Sequence, residues 1–191
     1  MQQKTNLLID ELLLMLEKST QQAKTFLNLS PEILNYKPAP NQWSILECIE
    51  HLNLYGDYYL PEIERRIIES SQASANSIFK SGLIGNYFAN LMLVKNGSIK
   101  KMKTPKDKDP QNSQLNSTTI ERFLKQQEKL TNLLNKARTS DLTNIKCSIS
   151  LSKWIKLRLG DTFRFLIFHI DRHLKQAENV KINWLERKTE N

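Results

Sequence analysis

Apolar residues recur at helical spacing in four separate stretches of this chain, and that periodicity restricts what it can fold into. In an α-helix, residues i, i+3, i+4 and i+7 share a face. Residues 4–29 set Leu8, Leu12, Met15 and Leu16, then Phe26 and Leu27, in this pattern. Residues 44–70 carry a stripe of Ile45, Cys48, Leu52, Tyr55, Tyr59, Ile63 and Ile67. Residues 117–138 align Ile120, Phe123, Leu124, Gln127, Leu130, Leu134 and Ala137. A fourth stretch runs from Gly160-Asp161-Thr162 to about Val180. Five glycines and six prolines in 191 residues are too few for a turn-rich β-sandwich. The expected fold is all-α: a four-helix bundle of up-and-down order, with a partly helical insertion between the second and third helices.

The boundaries are legible too. Ser30-Pro31 ends the first helix, and the proline-rich 36–41 segment cannot continue it. Ser44 with Glu47 is a capping box opening the second helix, with Trp43 and Cys48 at the staple positions. Pro61 is expected to kink or divide that helix. The insertion, residues 71–116, holds a small polar run, a short helix or two within 78–94, and a polar loop with six lysines and two prolines. Residues 139–153 read as a connector, and Asp161 or Thr162 as the cap of the fourth helix. A single domain of residues 1–191 is expected, with a core of about 4–180 and a polar tail of 181–191.

The net charge of +8 is spread over lysines and forms no dense block of arginine and aromatics. It reads as a solvated surface, and no nucleic-acid partner is expected. The longest apolar stretch, 78–94, is broken by Lys80, Gly82, Gly85, Asn86 and Asn90, so no membrane partner is expected. No secretory pattern opens the chain, and the expected location is cytoplasmic. Cys48 and Cys147 do not make a disulfide framework; Cys48 reads as a reduced, buried thiol.

The chain has three histidines. His169 and His173, at i and i+4, can aim both imidazoles at one point. His51 lies seven residues past its cap Ser44, and His169 seven or eight past its own. Both therefore sit roughly 10–12 Å into their helices. If those helices run parallel, all three rings meet at similar depth. Three neutral imidazoles leave at least one open position on a divalent ion, the catalytic arrangement. Occupancy is expected to fall as pH drops below about 6.5, because ligands must be deprotonated.

The segment Trp43-Ser44-Ile45-Leu46-Glu47-Cys48-Ile49-Glu50-His51-Leu52 resembles the W-S-x-x-E-x-x-x-H-L signature of the DinB-like, or DinB/YfiT, superfamily. His169-Ile170-Asp171-Arg172-His173-Leu174-Lys175-Gln176 resembles its second signature, H-x-x-x-H-x-x-Q. The likeness extends over about 10–178. It implies a four-helix bundle with His51, His169 and His173 as ligands of nickel, zinc or iron, and a homodimer. It further implies a metal-dependent enzyme activating a thiol or water, thiol-transferase-like or hydrolase-like. The alternative is a non-catalytic, metal-binding stress-response or interaction bundle. A small thiol or another small molecule is the expected substrate.

Four further residues surround the triad. Glu47, one turn before His51, is explained by its cap but is also placed to orient a ligand. Tyr55 is a core residue by default, or a pocket wall that assists proton transfer. Arg172 suits a surface ion pair or an anionic substrate group. Gln176 is placed to hydrogen-bond near the site. Asp171 falls on the far side of its helix, and Trp43 and Trp154 either wall the site or plug a bundle end. The lysine-rich 95–108 loop reads as solvated and mobile. No glycine-rich phosphate cradle and no Ser-His-Asp set accompany these residues.

Overall fold

A computed structural model describes residues 1–70, 76–94 and 102–189. Six α-helices appear among them: α1 Thr5–Phe26, α2 Pro31–Asn35, α3 Ile45–Glu69, α4 Leu83–Met92, α5 Thr118–Lys136 and α6 Leu159–Thr189. Two short antiparallel pairs accompany them: β1 (Gln2–Lys4) with β2 (Ile78–Lys80), and β3 (Lys146–Ile149) with β4 (Ser152–Arg158). The protein is mostly helical, and one apolar cluster runs through α1, α3, α5 and α6.

The capping box at α3 is present as expected. The Ser44 hydroxyl accepts from Glu47 N–H at 3.2 Å, and Glu47 Oε2 accepts from Ser44 N–H at 2.9 Å. Pro61 does not divide α3, which continues to Glu69. At its far end, α6 runs beyond the expected stop at Val180 to Thr189. Its last turns carry a Glu178–Lys181 pair at 2.5 Å and Lys188 above the Trp184 ring at 4.4 Å. Such local pairs sustain a polar helix.

Helix directions depart from expectation. Along α3, His51 meets His173, Tyr55 meets His169 and Tyr59 meets Phe165. Rising numbers on α3 pair with falling numbers on α6, so the two run antiparallel, and the parallel arrangement expected from matched depths is corrected. Against α5 the order is reversed: Glu50 pairs with Arg122 and Glu64 with Lys129, so α3 and α5 run parallel. They do not alternate as an up-and-down order requires. The chain between them must therefore travel back along the pair, and the described residues 76–94 and 102–117 belong to that crossover.

The start of α6 also differs. The helix begins at Leu159, so neither Asp161 nor Thr162 is its cap. Asp161 is fully buried. One of its oxygens accepts from Ser81 Oγ and pairs with Arg164 at 3.0 Å; the other accepts from Gly82 N–H at 2.8 Å. Arg164 also donates to Asn86 Oδ1 at 3.2 Å. This buried pair fastens the crossover, at the entry to α4, onto α6. Nearby, a Cβ on Gly160 would lie 2.5 Å from the Phe79 ring, so glycine lets β2 close against α6.

The expected connector at 139–153 contains β3 and leads into β4. Cys147 and Ile149 point inward, and Lys146 outward, in the two-residue period of a strand. The pair is held to α3 by Ser148, whose N–H and hydroxyl both donate to Glu62 Oε1 at 2.9 Å.

Removing one member of a buried ion pair leaves the other charge uncompensated, at a cost of roughly 3–5 kcal/mol. Asp161→Ala should lower unfolding free energy by about that amount in urea denaturation. A loss under about 1 kcal/mol would contradict the anchoring role given to this pair.

Candidate metal centre

His51 stands in the second turn of α3, placed there by the capping box. His169 and His173 lie one turn apart on the facing side of α6. The three are 3, 4 and 9 % exposed. Their ring centroids are separated by 5.0 Å (His51–His169), 4.5 Å (His51–His173) and 4.5 Å (His169–His173). One nitrogen from each ring lies within 4.8 Å of the others. The antiparallel crossing of α3 and α6 brings them together, rather than matched depth.

Aromatic rings enclose the cluster. Trp43 lies 4.7 Å from His51 and 5.8 Å from His173. Tyr55 lies 4.9 Å from His51 and 4.5 Å from His169, and Phe165 stacks on His169 at 5.7 Å. Burial disfavours the imidazolium. It lowers His51 to about 4, although the hydrogen bond to Lys108 pulls the other way. Burial also pushes His169 and His173 well below the usual range, reinforced by the neighbouring imidazoles and Arg172. At neutral pH all three rings are uncharged and carry a free lone pair.

Hydrogen bonds choose which nitrogen keeps its proton. His51 Nδ1 lies 2.6 Å from the Lys108 carbonyl, which can only accept, so Nδ1 carries the hydrogen and Nε2 the lone pair. His173 Nδ1 lies 3.0 Å from Gln176 Oε1, which fixes the same choice. His51 Nε2 and His169 Nε2 are 3.2 Å apart. Two nitrogens bound tetrahedrally at about 2.0–2.1 Å would be roughly 3.3 Å apart. Among the described residues His169 Nδ1 is buried without a hydrogen-bond partner. The donor set therefore fits a divalent transition metal: neutral imidazoles, two of them oriented by outer partners. No other group of three or more His, Cys, Asp or Glu with such spacing occurs among the described residues.

The remaining sequence-predicted residues fall into place unequally. Tyr55, Arg172 and Gln176 line a cavity of about 900 Å³ that the three histidines also face. Gln176 touches the triad directly through His173. Arg172 is buried, and desolvation lowers its pKa. Burial pushes the Tyr55 hydroxyl up to about 12. Glu47 stays in the cap: its oxygens bond Ser44 N–H, Asn112 N–H and Lys37. Cys48 is fully buried, and desolvation raises its thiol pKa, which makes it inert. Trp43 walls the site, whereas Trp154 is 95 % exposed and plays no part in it.

Two features went unread in the sequence. Phe165 lies one turn before His169 on the same face, a spacing that marks it as a neighbour. Residues 102–109, read as solvated loop, line the cavity through Lys103, Thr104, Pro105 and Lys106 and supply the Lys108 carbonyl. Residues 95–101 lie outside the described residues. Tyr59, Leu157 and Phe165 line one end of the cavity, and Gln176, Asn179, Val180 and Asn183 the other. Phe165 to Asn183 is eighteen residues, or roughly 27 Å of helix, with the histidines between.

The DinB superfamily matches residues 15–177 of this sequence. The chain belongs to the DinB superfamily. No curated protein and no solved structure gives a significant match. Both histidine-bearing signatures of this DinB superfamily member fall inside the matched span, which closes just after Gln176.

The lowered histidine values set a pH dependence. Unfolded histidines titrate near 6.5, while in the folded protein burial lowers His51 to about 4 and holds His169 and His173 well below the usual value. Between those values the unfolded chain binds more protons, so stability rises with pH. It is full above about 6.5 and lost as pH falls toward 4 and below. Urea denaturation of metal-free protein should show this decline, and His169→Leu, which cannot titrate, should show a shallower one. Equal slopes would contradict the buried neutral imidazoles. For the same reason proton competition for the ligands begins lower than the pH 6.5 expected from free histidine.

Proposed function

We propose that this DinB superfamily member is a metal-dependent enzyme in which His51, His169 and His173 hold one divalent ion of nickel, zinc or iron. We read α1, α3, α5 and α6 as the four helices of its bundle and residues 1–191 as one domain. The observation that carries the proposal is the convergence of three neutral imidazoles on a cavity of small-molecule size. A closed structural ion would call for a fourth protein ligand, and none joins the cluster among the described residues.

When bound, such an ion supplies Lewis acidity, which lowers the pKa of a coordinated thiol or water. The chain's own residues do the rest. The Lys108 carbonyl and Gln176 hold protons on His51 Nδ1 and His173 Nδ1, keeping Nε2 free to bind. Trp43, Tyr55 and Phe165 exclude water from the ring faces. The Arg172 guanidinium provides a cationic wall for an anionic group on the substrate. The cavity follows roughly 27 Å of α6, long enough for two small molecules meeting at the histidines. That supports transfer from a small thiol over simple hydrolysis.

No helix among the described residues is long and apolar enough to cross a membrane. A homodimer, which rests on the family resemblance, and a cytoplasmic location, which rests on the sequence reading, are part of the proposal.

Elemental analysis of protein purified without an affinity tag tests the reading. About one equivalent of a single transition metal is expected. Dividing the ~10–16 kcal/mol of a structural zinc site among four ligands gives about 3 kcal/mol each, or roughly a hundredfold. His51→Ala and His173→Ala should each weaken metal binding by about that factor. Failure to take up nickel, zinc or iron, before or after reconstitution, would sink the proposal. A His51→Ala protein of wild-type affinity would remove His51 from the ligand set.

A further inference from the structure

On His51 the choice of ligating nitrogen is made by a backbone carbonyl 57 residues away in sequence. The carbonyl of Lys108 meets Nδ1 at 2.6 Å, and its position depends on how the segment around it is tied down. Lys108 ends a single 3-10 turn, Lys106–Lys108, that belongs to no sheet or long helix. Its attachment lies four residues on. The Asn112 N–H donates to Glu47 Oε1 at 2.7 Å. Lys37 Nζ reaches both groups, at 2.6 Å from Glu47 Oε1 and 3.3 Å from Asn112 Oδ1. Gln111 adds a bond to the Pro40 carbonyl at 3.3 Å, and Pro110 is buried.

The two contacts share one spacing. Glu47 and His51 are one helical turn apart on α3, and Asn112 and Lys108 are four residues apart on the strap. Glu47 binds Asn112, and His51 binds Lys108, so the strap runs antiparallel to the first turns of α3. Asn112 adopts φ 65°, the left-handed region that asparagine and glycine tolerate. Glu47 divides its oxygens, one to the Ser44 N–H that opens His51's own helix and one to the strap.

We propose that Glu47 and Asn112 are positioning residues: they hold the Lys108 carbonyl on His51 Nδ1 and thereby present His51 Nε2 to a divalent metal ion. The metal part rests on the function proposed above; the tautomer does not. Glu47 acts on the site through the strap and not by touching a ligand. The capping glutamate is thus shared between the helix that carries the histidine and the segment that orients it.

Three variants separate positioning from general stability. Asn112→Pro removes the donor and cannot adopt φ 65°. Asn112→Gly keeps both donor and conformation. Glu47→Gln has one acceptor oxygen where the carboxylate uses two. The tautomer of His51 is read by ¹⁵N NMR of metal-free, histidine-labelled protein near neutral pH. The affinities for Zn²⁺ and Ni²⁺ alone are read by chelator competition.

Wild type should show the Nδ1–H tautomer at His51. Asn112→Pro should shift His51 to a mixture and weaken both ions by about 10–100-fold, the usual effect of losing an outer-shell partner. Asn112→Gly should restore the wild-type pattern. Should Asn112→Pro fail to fold, Glu47→Gln should show the same shift in smaller degree. An Nε2–H tautomer in wild type would overturn the proposal. So would wild-type tautomer and affinity in both Asn112→Pro and Glu47→Gln. A wild type that binds neither ion, yet loses its Nδ1–H tautomer in Asn112→Pro, would support the positioning and overturn the metal reading.

Discussion

Three imidazoles taken out of water at the crossing of α3 and α6 set the terms for everything around them. A buried imidazole is tolerated uncharged, and its N–H needs an acceptor that does not itself bring charge. The protein meets that need with neutral groups: a backbone carbonyl for His51 and a side-chain amide for His173. Aromatic faces of Trp43, Tyr55 and Phe165 fill the remaining space. Among the described residues no carboxylate bonds any of the three rings, and burial outweighs what favours the imidazolium. The result is a set of lone pairs held ready at neutral pH.

The topology explains where the acceptor for His51 comes from. Because α3 and α5 run parallel, the chain must cross back between them, and the crossover passes over the end of α3 that bears His51. Two of its attachments lie on either side of the segment that lines the cavity. Near its start, the buried Asp161–Arg164 pair receives Ser81, Gly82 and Asn86. Near its end, Glu47 receives Asn112. The described part between these anchors includes α4 and the segment lining the cavity. A connection demanded by helix direction thus also supplies the wall and one orienting group of the site.

What could be read from the sequence was local. The apolar stripes located α1, α3, α5 and α6, because helical period is a property of neighbouring residues. Ser44 and Glu47 announced the start of α3, and His169 with His173 announced a shared face. The unread parts depend on contacts between distant residues. Asp161 looked like a cap because a carboxylate beside Thr162 fits that pattern, but its partners Ser81 and Gly82 lie about 80 positions upstream. Strand β3 is only four residues long, too short for a two-residue period to stand out. Lys108 was illegible in principle, since it acts through its backbone carbonyl and its side chain carries no sign of the role. The direction of α6 against α3 has no signature in either helix, and matched depths suggested the wrong one.

In the proposed site His51, His169 and His173 together ligate one ion, with a side left open to the cavity. X-ray absorption of the metal-loaded protein reads this directly. Three imidazole ligands are expected, at about 2.0–2.1 Å for zinc, with the remaining positions filled by light, non-protein oxygen or nitrogen atoms. Two or fewer imidazoles, or a sulfur at about 2.3 Å marking Cys48 as a ligand, would contradict it.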